Sequence, residues 1–173
     1  MDPALVGLLG VVLGVVLSNS AARLLDATRR RERVRDVQTA LRAEIRSDLH
    51  RLESIDRAEH LDAVIERIEG SELTPDSYTP FVPRESESVV FDAVAGEIHL
   101  LPTETVDAVV LYFKQMKTIA QFVEDLRGDR YRTLEVDRKV SMYQDYFEML
   151  AYSAQLAEEA ISALDNALER RAR

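Results

Sequence analysis

Residues 3–22 form a run of 20 positions without a charge, and the 4–17 stretch within it is almost wholly Leu, Val and Gly. A chain that carries such a run has little choice about where to put it. Coiled into a helix, the run rises about 30 Å, the thickness of a bilayer's hydrocarbon core. Pro3 suits the first turn of that helix, where its missing N–H breaks no bond, and Asp2 complements the positive end of the helix dipole. Asn19 and Ser20 shorten the strongly apolar part and belong at the interface. A cleaved signal peptide would open with a basic region, but only Met1 and Asp2 precede this run. A buried core helix rarely goes so far without a charge. Residues 1–22 are therefore expected to be a single transmembrane anchor.

The neighbouring charges set its orientation. Arg23, Arg29, Arg30, Arg31, Arg33 and Arg35 crowd one side of the run, and no basic residue stands on the other. The positive-inside rule then puts the N-terminus outside and the remaining chain in the cytoplasm, at the inner membrane of a bacterium. The same six arginines are expected to touch anionic lipid head groups, at about 1 kcal/mol each near the surface. Within the anchor, Gly10, Gly14, Ser18 and Ala22 recur every four residues, and Gly7 extends them by a step of three. They stack into a ridge of small side chains that another helix backbone can approach closely, a surface for self-association or for docking on another membrane protein. Against this stands the plain abundance of glycine in membrane helices.

The 173 residues hold one ordinary domain beyond the anchor. The absence of Cys excludes disulfides, thiolate zinc sites and a cysteine nucleophile. Of the 22 basic residues only Lys114, Lys117 and Lys139 are lysine, an arginine bias typical of high-GC bacterial genomes. The net charge of −9 is unevenly spread: residues 1–35 carry +3 and residues 36–173 carry −12. So acidic a body repels a phosphate backbone, and nucleic acid is not an expected partner.

After the anchor the chain reads as all-α. Residues 23–69 contain no Pro or Gly, and apolar residues recur at steps of three and four from Val34 through Val37, Leu41, Ile45, Leu49, Leu52 and Ile55. Leu61, Val64 or Ile65, and Ile68 continue the stripe. The spacing predicts one stalk helix that leaves the membrane and ends at Gly70. Residues 70–87, with Pro75, Pro80 and Pro83 among Ser and Thr, predict a loop pinned by Tyr78, Phe81 and Val82, or else a recognition loop. A short helix is expected over 88–94, another from Pro102 or Thr103 to Gly128, and a last one from near Leu134. In that last helix Val136, Val140, Tyr143, Phe147, Leu150, Ala154, Ala157, Ile161, Leu164 and Leu168 keep a repeat of about 3.5, the spacing of coiled-coil packing. Tyr146, Ala151, Ser153, Ala160 and Ala167 flank the seam where a two-stranded zipper would carry charges. The wider face predicts an antiparallel hairpin over 88–173 that packs as a bundle against the stalk.

No chemistry-bearing pattern rises above this background. A carboxylate di-metal bundle needs Glu-x-x-His, but Arg57 stands three before His60 and Ser47 three before His50. Asp56 and His60 read as a surface pair, and Glu158-Glu159 or Glu85 with Glu87 as ordinary acids of an acidic chain. The anchor glycines lack the lysine of a phosphate loop, and no nucleophile elbow is present. Tyr112, Tyr131, Tyr143, Tyr146 and Tyr152 read as hairpin core rather than as a ligand pocket. No catalytic, cofactor-binding or metal-ligating residue is expected, nor a small-molecule substrate.

The segments Val90-Phe91-Asp92-Ala93, Leu100-Leu101-Pro102 and Val109-Val110-Leu111-Tyr112-Phe113 are similar to stretches of small, uncharacterised bacterial single-pass membrane proteins with a Gly-rich anchor, an Arg-rich stalk and a helical body. That resemblance spans most of the chain and implies packing only, with no activity and no site residues. The expected function is that of a non-enzymatic, membrane-tethered interaction protein that self-associates or serves a membrane complex as an accessory subunit. The competing expectation is a membrane effector or sensor that acts at the bilayer on a cytoplasmic signal.

Overall fold

The computed structural model describes the backbone of residues 3–54, 57–70, 80–83 and 88–172, and the side chains of 23–54, 59–70, 80–83 and 88–170. It is all-α, with no strand among the described residues. Six helices follow in order among these residues: α1 Pro3–Glu53, α2 Arg57–Gly70, α3 Val89–Val94, α4 Thr103–Arg127, α5 Asp129–Arg132 and α6 Val136–Ala172. A 3₁₀ segment, Ala95–Leu100, links α3 towards α4. The chain divides into two compact units, Met1–Val37 and Gln38–Arg173.

In the first unit the backbone of 3–37 is helical, and the side chains of 23–33 are all exposed. Thr28 Oγ1 donates to the Leu24 carbonyl at 2.9 Å, satisfying the hydroxyl within the helix. Among the described residues no helix is long and apolar enough to cross a membrane. The side chains of 1–22 lie outside the described residues, and with them the anchor expectation and the ridge of Gly10, Gly14, Ser18 and Ala22.

The second unit is a helical bundle. Helices α4 and α6 pack along each other, and α2 packs on α6. Glu104 in the first turn of α4 lies 3.9 Å from Arg170 near the end of α6, so the pair runs antiparallel as the hairpin reading expects. Arg42 and Arg46 of α1 both meet Asp165, and farther along the chain His60 of α2 stacks on Phe147. Residues 38–53 and α2 thus run one after the other against α6, opposite to it in direction.

The expected single stalk helix over 23–69 is corrected by the structure, which breaks it between Glu53 and Arg57. The reason is phase. At about 100° per residue, Leu41, Ile45 and Leu52 fall within roughly 40° of one another, and all three are buried. On an unbroken helix Val64 and Ile68 would sit about 120–160° away from Leu52, yet both are buried too. The break restores their alignment. Ser54 marks it: its Oγ donates to the Arg51 carbonyl at 2.8 Å, taking an acceptor that a continuing helix would use.

Helix α6 is buried on a wider face than its 3.5-residue seam. Tyr146, Ser153, Leu156, Ala160 and Ala167 are buried beside the seam residues, whereas Val136, Val140, Ile161 and Leu168 are only half-buried and Ala151 is exposed. Helix α5 is an unexpected single turn, which puts Tyr131 into the core with its hydroxyl donating to the Lys139 carbonyl at 3.3 Å. Within the 70–87 loop, Pro80 and Val82 are buried and the Val82 carbonyl accepts from Arg127 at 2.8 Å. Phe81, expected to help pin that loop, is 82% exposed, and Tyr78 lies outside the described residues.

Two polar side chains from α1 test this packing. Both Glu44 oxygens accept α3 backbone N–H groups, from Val90 and Phe91, at 2.9 Å each. Ser88, at the capping position, makes no side-chain cap. Glu44 therefore supplies the cap from another helix and lets Phe91 stack on Phe113 of α4 at 4.1 Å. Replacing Glu44 with Ala is expected to cost about 1–2 kcal/mol and to lower the Tm by roughly 3–6 °C, measured by circular dichroism; an unchanged Tm refutes the cap. Gln38 is fully buried, and neither of its amide atoms has a hydrogen-bond partner among the described residues. Gln38→Leu removes that desolvated amide and is expected to raise stability by about 1 kcal/mol in the same assay.

Candidate functional site

The sequence-predicted contact residues are placed as follows. Arg23, Arg29, Arg30, Arg31, Arg33 and Arg35 are all exposed on α1. With a turn of about 100° per residue, they point round the helix rather than along one side and so form a collar. Leu24 and Leu25 stand exposed among them, at 69% and 59%.

The histidines and tyrosines do not assemble a reactive centre. His50 and His99 are exposed, His60 is stacked at 5.9 Å on Phe147, and Asp56 lies outside the described residues. No group of three or more His, Asp or Glu that could hold a metal ion occurs among the described residues. Tyr112, Tyr131, Tyr143 and Tyr146 are buried, while Tyr152 is 47% exposed. Tyr143 and Tyr146 pack on Phe147 with centroids 5.4 Å and 5.6 Å away. Aromatic pairs at that separation are ordinary core cohesion.

One tyrosine has a distinct electrostatic setting. The Tyr112 hydroxyl donates to Asp48 Oδ2 at 2.9 Å, which ties α4 to α1. Burial pushes its pKa far above the ordinary tyrosine value, and the charge and hydrogen bond of Asp48 push the same way. The phenol stays protonated and works as a fixed donor, not as a base.

A concave site does form at the end of the bundle. The start of α4 and the last turns of α6 enclose a hollow of about 580 Å³, a volume within the usual range of ligand pockets. Thr105, 1% exposed, and Ala167, 7% exposed, make its inner wall, with half-buried Pro102 and Ala163 beside them. Glu104, Glu158, Glu159, Asn166 and Arg170 are exposed and surround its mouth. The hollow exists because α6 carries Ser162, Ala163, Asn166 and Ala167 where bulkier side chains would fill the groove. Glu158 and Glu159, which read as ordinary surface acids in the sequence, thus face a third carboxylate across a cavity. The sequence signal for it was weak: small residues at 163 and 167, one turn apart, in a helix whose apolar positions elsewhere include Leu, Phe and Tyr.

Tyr112→Phe is expected to cost about 1.5–3 kcal/mol, because it leaves Asp48 without that donor. A raised phenol pKa in the folded state stabilises the fold fully below the unfolded value of about 10, and that contribution is lost as pH rises above it. Wild-type stability should therefore fall more steeply than that of Tyr112→Phe above about pH 10; denaturant midpoints that fall in parallel would contradict this. Comparison with protein-family models, with curated proteins and with solved structures returns no match for this chain.

Proposed function

We propose that this chain is a non-enzymatic interaction protein, anchored by residues 1–22 in a bacterial inner membrane with its N-terminus outside and its acidic helical body in the cytoplasm. There it self-associates or serves as an accessory subunit of a membrane complex. The observation that carries this reading is the collar. Directly after a 20-residue uncharged run, every arginine from Arg23 to Arg35 is exposed, with Leu24 and Leu25 exposed between them. Such a ring fits the boundary of a bilayer, where leucines reach the acyl chains and guanidinium groups reach up to phosphates. The charge of −12 on residues 36–173 supports a body held off an anionic leaflet rather than laid on it. Small-residue spacing in the run supports helix–helix contact within the membrane.

Two measurements test the reading. The chain has no Cys of its own, so single cysteines report topology cleanly. Asp2→Cys should react with an impermeant maleimide from the outer side, and Arg67→Cys only after the membrane is opened. The reverse pattern, or release of the chain by alkaline carbonate, rejects the anchored reading. Replacing Gly10 and Gly14 together with Leu should weaken self-association in membranes roughly tenfold, about 1–2 kcal/mol, read by energy transfer between labelled chains; an unaltered transfer efficiency removes the ridge.

A further inference from the structure

The hollow between α4 and α6 has a counterpart in charge elsewhere on this chain. Its mouth carries Glu104, Glu158 and Glu159 on two helices. Glu104 is engaged by Arg170 at 3.9 Å with both side chains about three-quarters exposed, and ion pairs of that kind contribute little. Among the described residues no ion pair engages Glu158 or Glu159, and the same holds for Arg29, Arg30 and Arg31 of the collar. A wall of Thr105, Ala163 and Ala167 beneath exposed carboxylates suits arginine side chains, whose stems bury against apolar surface while the guanidinium forks meet the carboxylates. Residues 23–35 supply such side chains with a net charge of +4.

Position favours the same occupant. Arg42 and Arg46 meet Asp165, and Glu104 meets Arg170, so the hollow lies at the end of the body where residue 38 begins it. Arg35 is three residues before Gln38. Chain connectivity alone therefore keeps the collar of any copy close to the beginning of its own body, and neighbouring copies in one bilayer share that height. We propose that the hollow receives the Arg29–Arg31 collar of a second copy of this chain, giving a salt-dependent cytoplasmic contact between anchored chains. The proposal rests on the anchored reading above. Collar into hollow joins two different surfaces, so each copy keeps one of each available and association can continue around a ring.

The test uses full-length chains in native membranes, one carrying Arg30→Cys and the other, differently tagged, Ser162→Cys. Mild oxidation should give a disulfide-linked pair of the two, in clear excess over Arg30→Cys paired with Arg67→Cys on the exposed side of α2. Glu158→Arg with Glu159→Arg should lower that yield roughly tenfold, as should high salt. Adding Arg29→Glu with Arg31→Glu to the collar copy should restore it. Yield no greater than the Arg67→Cys control overturns the contact. So does a disulfide formed within one chain bearing both cysteines and undiminished by excess wild-type chain. Carbonate extraction of the same membranes separates the two readings: a chain that stays with the membrane but fails to cross-link loses this contact alone, whereas a chain that is released loses the anchor as well.

Discussion

Helix α6 has more apolar surface than one partner can cover. A two-stranded seam would bury Tyr143, Phe147, Leu150, Ala154, Ala157 and Leu164, and these are buried. So are Tyr146, Ser153, Leu156, Ala160 and Ala167, which lie to its sides. Burying a full-sized apolar side chain is worth about 1.5–3 kcal/mol, so leaving one side open would forfeit much of a small domain's net stability. Helix α4 takes one side, and residues 38–53 of α1 with α2 take the other. The break at Ser54 follows from the same demand, because only a change of phase lets both Leu52 and Ile68 reach the core.

Polar ties then select one arrangement among the many that would bury similar area. Asp165 of α6 holds Arg42 and Arg46, Asp48 takes the Tyr112 hydroxyl, and Glu44 takes two α3 amides. These three acids tie α1 to α6, α4 and α3. Sliding a helix by one turn would strand a partly buried carboxylate, which costs more than the bond itself contributes. Apolar packing supplies the energy of the body and these acids fix its register.

Much of this layout is legible in local sequence. Pro102 and Gly128 bound α4 because both act within one turn of themselves, and α6 announces itself by periodicity. The break at 53–57 is harder to read, since no Gly or Pro marks it and each residue there tolerates a helix. Only the angle between Leu52 and Ile68 betrays it, and that angle has meaning once both are known to face α6. The Glu44 cap joins residues 46 positions apart, and a remote cap leaves no local signature. Phe81 misled for a related reason: hydrophobicity in a loop says that burial is favourable, not that the backbone can deliver it.

The hollow is the most instructive omission. Periodicity reports where apolar side chains stand, but a cavity is a place where a side chain is small and the helices still do not meet. Ala167 stands at an expected flank of the seam, and with Ala163 one turn before it looks by composition like close packing. Pro102 and Thr105 at the start of α4 form the facing wall, and whether the small α6 residues leave a space depends on where α4 begins relative to α6. Three carboxylates against the single Arg170 give the space a net charge opposite in sign to the collar. An acidic body on a basic stem is commonplace in a membrane-proximal protein, and taken alone it argues only for orientation. Carboxylates gathered around a cavity are a different matter, because under the contact proposed above they would give the collar of a neighbouring copy a shaped place to go as well as a favourable field.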